Sequence, residues 1–265
     1  MSHDEGQKSL ARLRALLDTV RLKLEVDDAG AATLLWETRR YPVSELPLDG
    51  IPPEAEEAEL LAVAAAFEAA VKYPGVLAPG ESLREGAASL LPKVERARFA
   101  RAYDAVAGAA RGTSGAEDEG WRLFTRDFGA GLVVCYVQDE GWRFRYLTRA
   151  RITAWDASPD TIHSVARSNL YHKQALDWRA REVAHGDGYD AARAVLVDDV
   201  FYDRHGEGGV EIALPGRDQL LVGPGIDPSA VAAAYAESKY KLSPHVLRFA
   251  HDSVSVVARR EPDTE

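Results

Sequence analysis

Val210-Glu211-Ile212-Ala213-Leu214-Pro215-Gly216-Arg217-Asp218-Gln219-Leu220-Leu221-Val222 decides the fold class of this chain. Two runs of strand-forming residues flank Pro-Gly-Arg-Asp, a turn by composition, so the chain runs out and back as an antiparallel hairpin. The same pattern recurs upstream, where residues 132–137 and 142–148 flank Asp139-Glu140-Gly141, and downstream at 245–250 and 253–258. Near the start, residues 22–26 alternate, Asp27-Asp28-Ala29-Gly30 turns, and 33–37 returns. Helical periodicity lies between these hairpins. It covers 9–21, with Leu10, Leu13, Leu16 and Leu17 on one face, then 54–72 and 96–110. Ser158-Pro159-Asp160 opens a further helix with a cap, a first-turn proline and an acid at the positive end. Asp227-Pro228 opens another, to about residue 241. Leu90-Leu91-Pro92-Lys93-Val94 reads as an edge strand, where proline is tolerated, and 178–184 as a strand. Helices and hairpins mix without strict βαβ units. The expected class is α+β, with mixed, mainly antiparallel sheets and covering helices.

A chain of 265 residues can form one domain or two. The glycine-, serine- and acid-rich segment 111–120 is the best linker candidate. The expectation is an N-terminal α+β lobe at 1–110, a linker or exposed loop at 111–120, and a C-terminal α+β lobe at 121–265 that carries the motifs.

Lysine and arginine total 32 against 42 acidic residues, a net charge of −10, which disfavours a polyanionic partner. One segment argues the other way, Trp142-Arg143-Phe144-Arg145-Tyr146. On a strand, however, its aromatics face one side and its arginines the other. That suits a core face and a solvent face better than a stacking surface for nucleic acid. The first seven residues are polar and acidic, so no signal peptide is expected. The apolar stretch 58–71 contains Glu59 and Glu68 and is too short to span a bilayer. A cytoplasmic protein without membrane or nucleic-acid partners is expected.

Cys135, the lone cysteine, sits in an apolar run and reads as a structural thiol. The histidines lack zinc-site spacing, and there is no Gly-x-Ser-x-Gly, P-loop or dinucleotide fingerprint, so no metal or cofactor is expected. Polar chemistry concentrates in Gly186-Asp187-Gly188-Tyr189-Asp190-Ala191-Ala192-Arg193 and in Pro215-Gly216-Arg217-Asp218. Asp187, between two glycines, is expected to cap a helix running to about residue 205, with Ala192, Val195, Leu196 and Val200 on its buried face. Asp187, Tyr189, Asp190, Arg193, Arg217 and Asp218 are the candidate ligand-binding residues. The Arg217 turn is expected to pack beside the Asp187 helix start and form one polar locus. Asn169 shares a helical face with Ile162, Val165 and Ala166, so it is expected to point inward and bond a backbone group.

Taken in order, several motifs together resemble the YtpQ-like bacterial family, whose biochemical role is unknown. They are Leu91-Pro92-Lys93-Val94, Tyr136-Val137-Gln138-Asp139, Asn169-Leu170, Asp187-Gly188-Tyr189-Asp190-Ala191-Ala192-Arg193 and Leu214-Pro215-Gly216-Arg217-Asp218. The resemblance runs from about residue 10 to the final strand. It implies a cytoplasmic bacterial protein with no established activity, cofactor or partner. Two functions fit the sequence. One is a binding or interaction protein, accessory or chaperone-like, for an unknown protein or small molecule. The other is a hydrolase-type enzyme with a polar site built from the two motifs. If the motif side chains converge on an open pocket, the enzyme gains; if they pair and disappear, the binding protein gains.

Overall fold

A computed structural model describes residues 3–73, 81–110, 119–141, 143–173, 181–197, 209–250 and 253–257. The fold is an α+β mix with three open sheets. Contacts gather the chain into two compact units, Met1–Arg126 with Val133–Asn169, and Asp127–Leu132 with Leu170–Glu265. These divisions differ from the expected lobes at 1–110 and 121–265. Of the expected linker, only residues 119 and 120 are described, within the 3-10 turn Glu119–Trp121.

The first unit opens with α1 (His3–Thr19), which starts earlier than the apolar face required. A meander follows, of β1 (Lys23–Val26), β2 (Ala32–Trp36) and β3 (Arg39–Val43). Leu24 stands opposite Leu34, and Leu34 opposite Tyr41, so three buried side chains line one face. The sequence reading missed β3, whose Pro42 sits on a strand at the sheet's edge. α2 (Glu56–Lys72) has acids in its first turn and Lys72 in its last, as the helix dipole favours. Its Leu60, Val63 and Phe67 are buried, and it packs on α4 (Ala97–Ala110). Between them lie α3 (Leu83–Ala87) and β4 (Leu90–Arg96).

The second sheet has the order β4-β6-β5, from β5 (Thr125–Gly129) and β6 (Leu132–Asp139), with β7 (Phe144–Tyr146) antiparallel to β6. β4 lies at the end of that order, yet every residue from Leu90 to Glu95 is buried. Its charges are therefore paired. Tyr146 Oη donates to Glu95 at 2.8 Å, and Lys93 Nζ sits 4.1 Å from the Phe144 ring centre. Arg143 and Arg145, the expected solvent face of β7, both pair with Glu140. α5 (Arg149–Ala154), also missed, and α6 (Pro159–Lys173) follow. Ser158 caps α6 as expected, with its Oγ accepting the Thr161 N–H. On α6, Ile162 and Ala166 are fully buried, and Asn169 on the same face is partly buried. Its Nδ2 donates to the carbonyls of Ala87 and Leu90, at 2.5 and 2.8 Å.

The second unit is built on a sheet of order β12-β11-β9-β10-β8. Its strands are β8 (Glu182–Val183), β9 (Val210–Ala213), β10 (Leu220–Val222), β11 (Val246–Ala250) and β12 (Ser253–Val256). The β9–β10 hairpin forms as its sequence requires, with Leu221 opposite Ala213 and Val222 opposite Ile212. β11 pairs on the other side of β9, placing Leu247 opposite Ile212. Ile212, Leu220, Leu247 and Phe249 make its core. α7 (Pro228–Glu237) starts on Asp227, whose carboxylate accepts the Ser229 N–H. It ends short of the expected residue 241. Ser238 is extended, and Lys241 Nζ turns back to donate to the carbonyls of Tyr235, Ala236 and Ser238. The lysine satisfies the helix end that it was expected to extend.

Asn169→Leu removes both donors to Ala87 and Leu90 and leaves those carbonyls without them. The variant should lose about 1–3 kcal/mol in chemical denaturation. A loss within experimental error of zero would show that water replaces the amide at no cost.

Candidate functional site

The second-unit motif folds as a tight loop and not as a helix start. Gly186 and Gly188 adopt φ of 70° and 76°, a backbone region that L side chains rarely enter, and Asp187 stands between them. Asp187 is therefore not the expected N-cap. Its Oδ1 accepts the N–H of Tyr189, two residues on, at 2.9 Å, an Asx turn. Regular structure begins only at the 3-10 segment Ala191–Leu196, with Asp190 before it in helical geometry and no side-chain cap bond. Ala192, Val195 and Leu196 are buried as expected, and Ala191, Arg193 and Ala194 are buried with them. Val200 lies outside the described residues.

The Asp187 carboxylate does not cap the helix because Arg193 takes it. Arg193 Nη1 and Nη2 donate to Asp187 Oδ1 and Oδ2 at 2.9 and 2.7 Å, a two-pronged pair. Arg193 Nη1 also donates to Asp190 Oδ1 at 3.0 Å. The remaining capacity of Asp190 is used by the Gly186 N–H on Oδ2, at 2.9 Å, and by His185 Nδ1 beside Oδ1, at 3.0 Å. The Arg193 and Asp190 side chains have no exposure to solvent, and that of Asp187 is 21% exposed. Burial alone would raise the Asp187 carboxyl. The Arg193 and Tyr189 hydrogen bonds, with the charges of Arg193 and Lys173, outweigh it and hold the group below the usual carboxylate range. Tyr189 is buried, with Lys173 Nζ 5.1 Å from its ring centre.

The Pro215-Gly216-Arg217-Asp218 turn reaches this loop through its backbone. The carbonyl of Arg217 accepts the Ala191 N–H at 3.0 Å, and a Cβ added at Gly188 would lie 4.0 Å from Asp218 Oδ1. The Arg217 guanidinium lies 4.6 Å from the ring centre of Tyr240. Gly216 lacks room for a side chain, since an added Cβ would come within 1.9 Å of Ser238 Oγ. The two motifs thus adjoin, with Arg193 as the guanidinium between the carboxylates.

An open polar concavity lies in the first unit and was missed in the sequence. It is a cleft of about 300 Å³ between the loop 44–49 and α4, with Arg98, Arg101 and Asp104 on the helix and Arg122 beyond. Arg98 is buried and fixes the loop. Its Nε donates to Glu59, and its two Nη groups donate to the carbonyls of Pro47 and Asp49. Glu59 also accepts from Arg96, at 2.7 Å. Asp104 Oδ1 accepts the Leu123 N–H at 2.7 Å. Burial pushes its carboxyl up to about 6, although the Leu123 bond and the charges of Arg122 and Arg149 pull the other way. The helical spacing of Arg98, Arg101 and Asp104 was visible in the sequence, but the facing loop was not. Among the described residues, no group of three or more histidine, cysteine or acidic side chains is placed to hold a metal ion. No helix among the described residues is long and apolar enough to cross a membrane.

Arg193→Met would leave the buried Asp190 without its counterion. Urea unfolding should show a loss of about 3–5 kcal/mol. A loss below about 1 kcal/mol would mean that the cluster opens to water. Asp104 gives a signed pH effect. Its folded-state value lies above the unfolded one, so it favours folding at low pH and withdraws that contribution as pH rises from about 4 to about 6. Asp104→Asn keeps an acceptor for Leu123 and should flatten that stretch of the stability curve. Identical slopes in the two proteins would contradict the assignment.

No family model, curated protein or solved structure matches this chain, so its chemistry is read from its own residues.

Proposed function

We propose that the chain is a cytoplasmic binding or interaction protein, accessory or chaperone-like and akin to the YtpQ-like bacterial proteins, in which the motif residues are scaffold. One observation carries this reading: Asp190 and Arg193 are fully buried and bonded within their own loop. A general acid or base must come within about 3 Å of a reacting proton. A carboxylate engaged by Arg193, Gly186 and His185, with no surface of its own, offers no such approach. The hydrolase alternative requires the same group to line an open pocket.

The open cleft supports binding for a separate reason. Its hydroxyl, Ser44 Oγ, donates to the Ala105 carbonyl at 3.1 Å, which leaves it poorly placed as an activated nucleophile. Its guanidiniums and carboxyls suit holding a polar group.

The test is to purify the full chain and assay ester, phosphoester and peptide hydrolysis, with native mass spectrometry of any co-purified species. The expected result is a retained partner or small molecule and no turnover. Turnover that disappears in Asp187→Asn, while that variant keeps its folded far-ultraviolet spectrum, would instead establish the hydrolase.

A further inference from the structure

We infer that the cleft between the loop 44–49 and α4 binds the carboxylate or phosphate group of a small molecule, with Arg101 as its cationic contact. This rests on the reading of the chain as a binding protein and adds where, and for what chemistry, it binds.

Arg98, Arg101 and Asp104 follow one another at three-residue spacing along one face of α4. Arg98 is spent on Glu59 and two loop carbonyls. Arg101 differs. It is exposed, lines the cleft, and has no hydrogen-bond or ion-pair partner among the described residues. Burial pulls the Arg98 guanidinium down, Glu59 opposes that, and the like charge of Arg101 adds to the lowering, so an anion beside Arg101 relieves part of the repulsion. Arg122 contributes a third guanidinium to the same concavity. Arg98, Arg101 and Arg122 share the lining with Glu45, Asp49 and Asp104, so the contact for an anion is Arg101, the exposed guanidinium without a partner among the described residues. The guanidinium fork matches the planar or tetrahedral oxygens of a carboxylate or phosphate. A volume of about 300 Å³ is at the small end for ligand sites, which suits a metabolite. Glu45 and Asp49, on the loop wall, repel a polyanion and restrict the ligand to one anionic head.

Asp104 makes the site sensitive to pH. Arg98 and Arg101 on its own helix, Glu45 and Asp49 on the loop, and Arg122 line the same cleft, and the charges of Arg122 and of Arg149 on α5 act on it. One of its oxygens holds the Leu123 N–H, and the other has no partner among the described residues. Ionised, that oxygen repels an incoming anion. Protonated, it donates to it. Affinity for an anion therefore rises as pH falls through about 6.

The experiment is a nuclear magnetic resonance titration of the full chain at constant ionic strength. The probes are sulfate, for a tetrahedral oxyanion, and benzoate, for a carboxylate. Wild type should bind at least one of them saturably, and more tightly at about pH 5.5 than at about pH 7.5. The tighter of the two identifies the phosphate-like or carboxylate class. Arg101→Met should weaken binding roughly tenfold or more while the unfolding midpoint stays in place, because the residue is exposed. Asp104→Asn should bind equally at both pH values. If neither probe saturates wild type, or if Arg101→Met binds as tightly, the site is wrong. A co-purified partner that Arg101→Met still retains would overturn this site while leaving the binding reading intact.

Discussion

A guanidinium sealed from water is stable only where carboxylates surround it, and Arg193 sets that condition for the second unit. Its partners depart from an ordinary helix cap: Asp187 turns toward it, Asp190 lies beside it, and Gly186 and Gly188 bend the backbone so that both can. The consequences spread outward. Because Asp190 needs further donors in the absence of water, the Gly186 N–H and His185 are drawn in. Because Ala191 to Leu196 follow immediately, that segment is buried throughout. The Ala191 N–H then reaches the Arg217 carbonyl in the turn between β9 and β10, which joins the loop to the central hairpin of its sheet.

The first unit uses a related device with a different outcome. Glu59 on α2 accepts from both Arg96 and Arg98, and Arg98 carries the connection on to the 44–49 loop. Here the charge network supports an edge that stays open, with Arg101 and Asp104 facing the cleft. Desolvating a charge is costly, so a folded protein closes such groups into satisfied sets or leaves them at a surface. The motif cluster took the first course. The cleft took the second, which is why ligand chemistry is assigned to it.

Much of the fold was legible because it depends on local rules. The β9–β10 hairpin follows from a turn between alternating strands, and the starts of α6 and α7 from Ser158 and Asp227. Asn169 was placed by helical period alone, although its acceptors, Ala87 and Leu90, lie far away in sequence. The failures have a common cause. Asp187 carries every local sign of an N-cap, yet a guanidinium six residues on competes for its carboxylate and wins. Lys241 looked like the last turn of a helix but closes that helix from outside. Arg217 looked like the partner for Asp187 and Asp190, a place that Arg193 fills. The cleft depends on a loop and a helix separated by some fifty residues of chain, joined by Arg98 at one end and by Ser44, whose N–H and Oγ both donate to the Ala105 carbonyl, at the other. In each case the partner a side chain takes, whether a few residues away or some fifty, decided the structure, and a single sequence does not display partners.

Native-state hydrogen exchange at the N–H groups of Gly186, Tyr189 and Ala191 tests the structural role of the Arg193 cluster most directly. Their acceptors are Asp190 Oδ2, Asp187 Oδ1 and the Arg217 carbonyl. If the cluster is a closed keystone, all three amides exchange only through unfolding of the second unit, with the same free energy as the amides of β9. Exchange at loop-like rates, with β9 still protected, would show that the motif opens on its own and is free to meet a ligand.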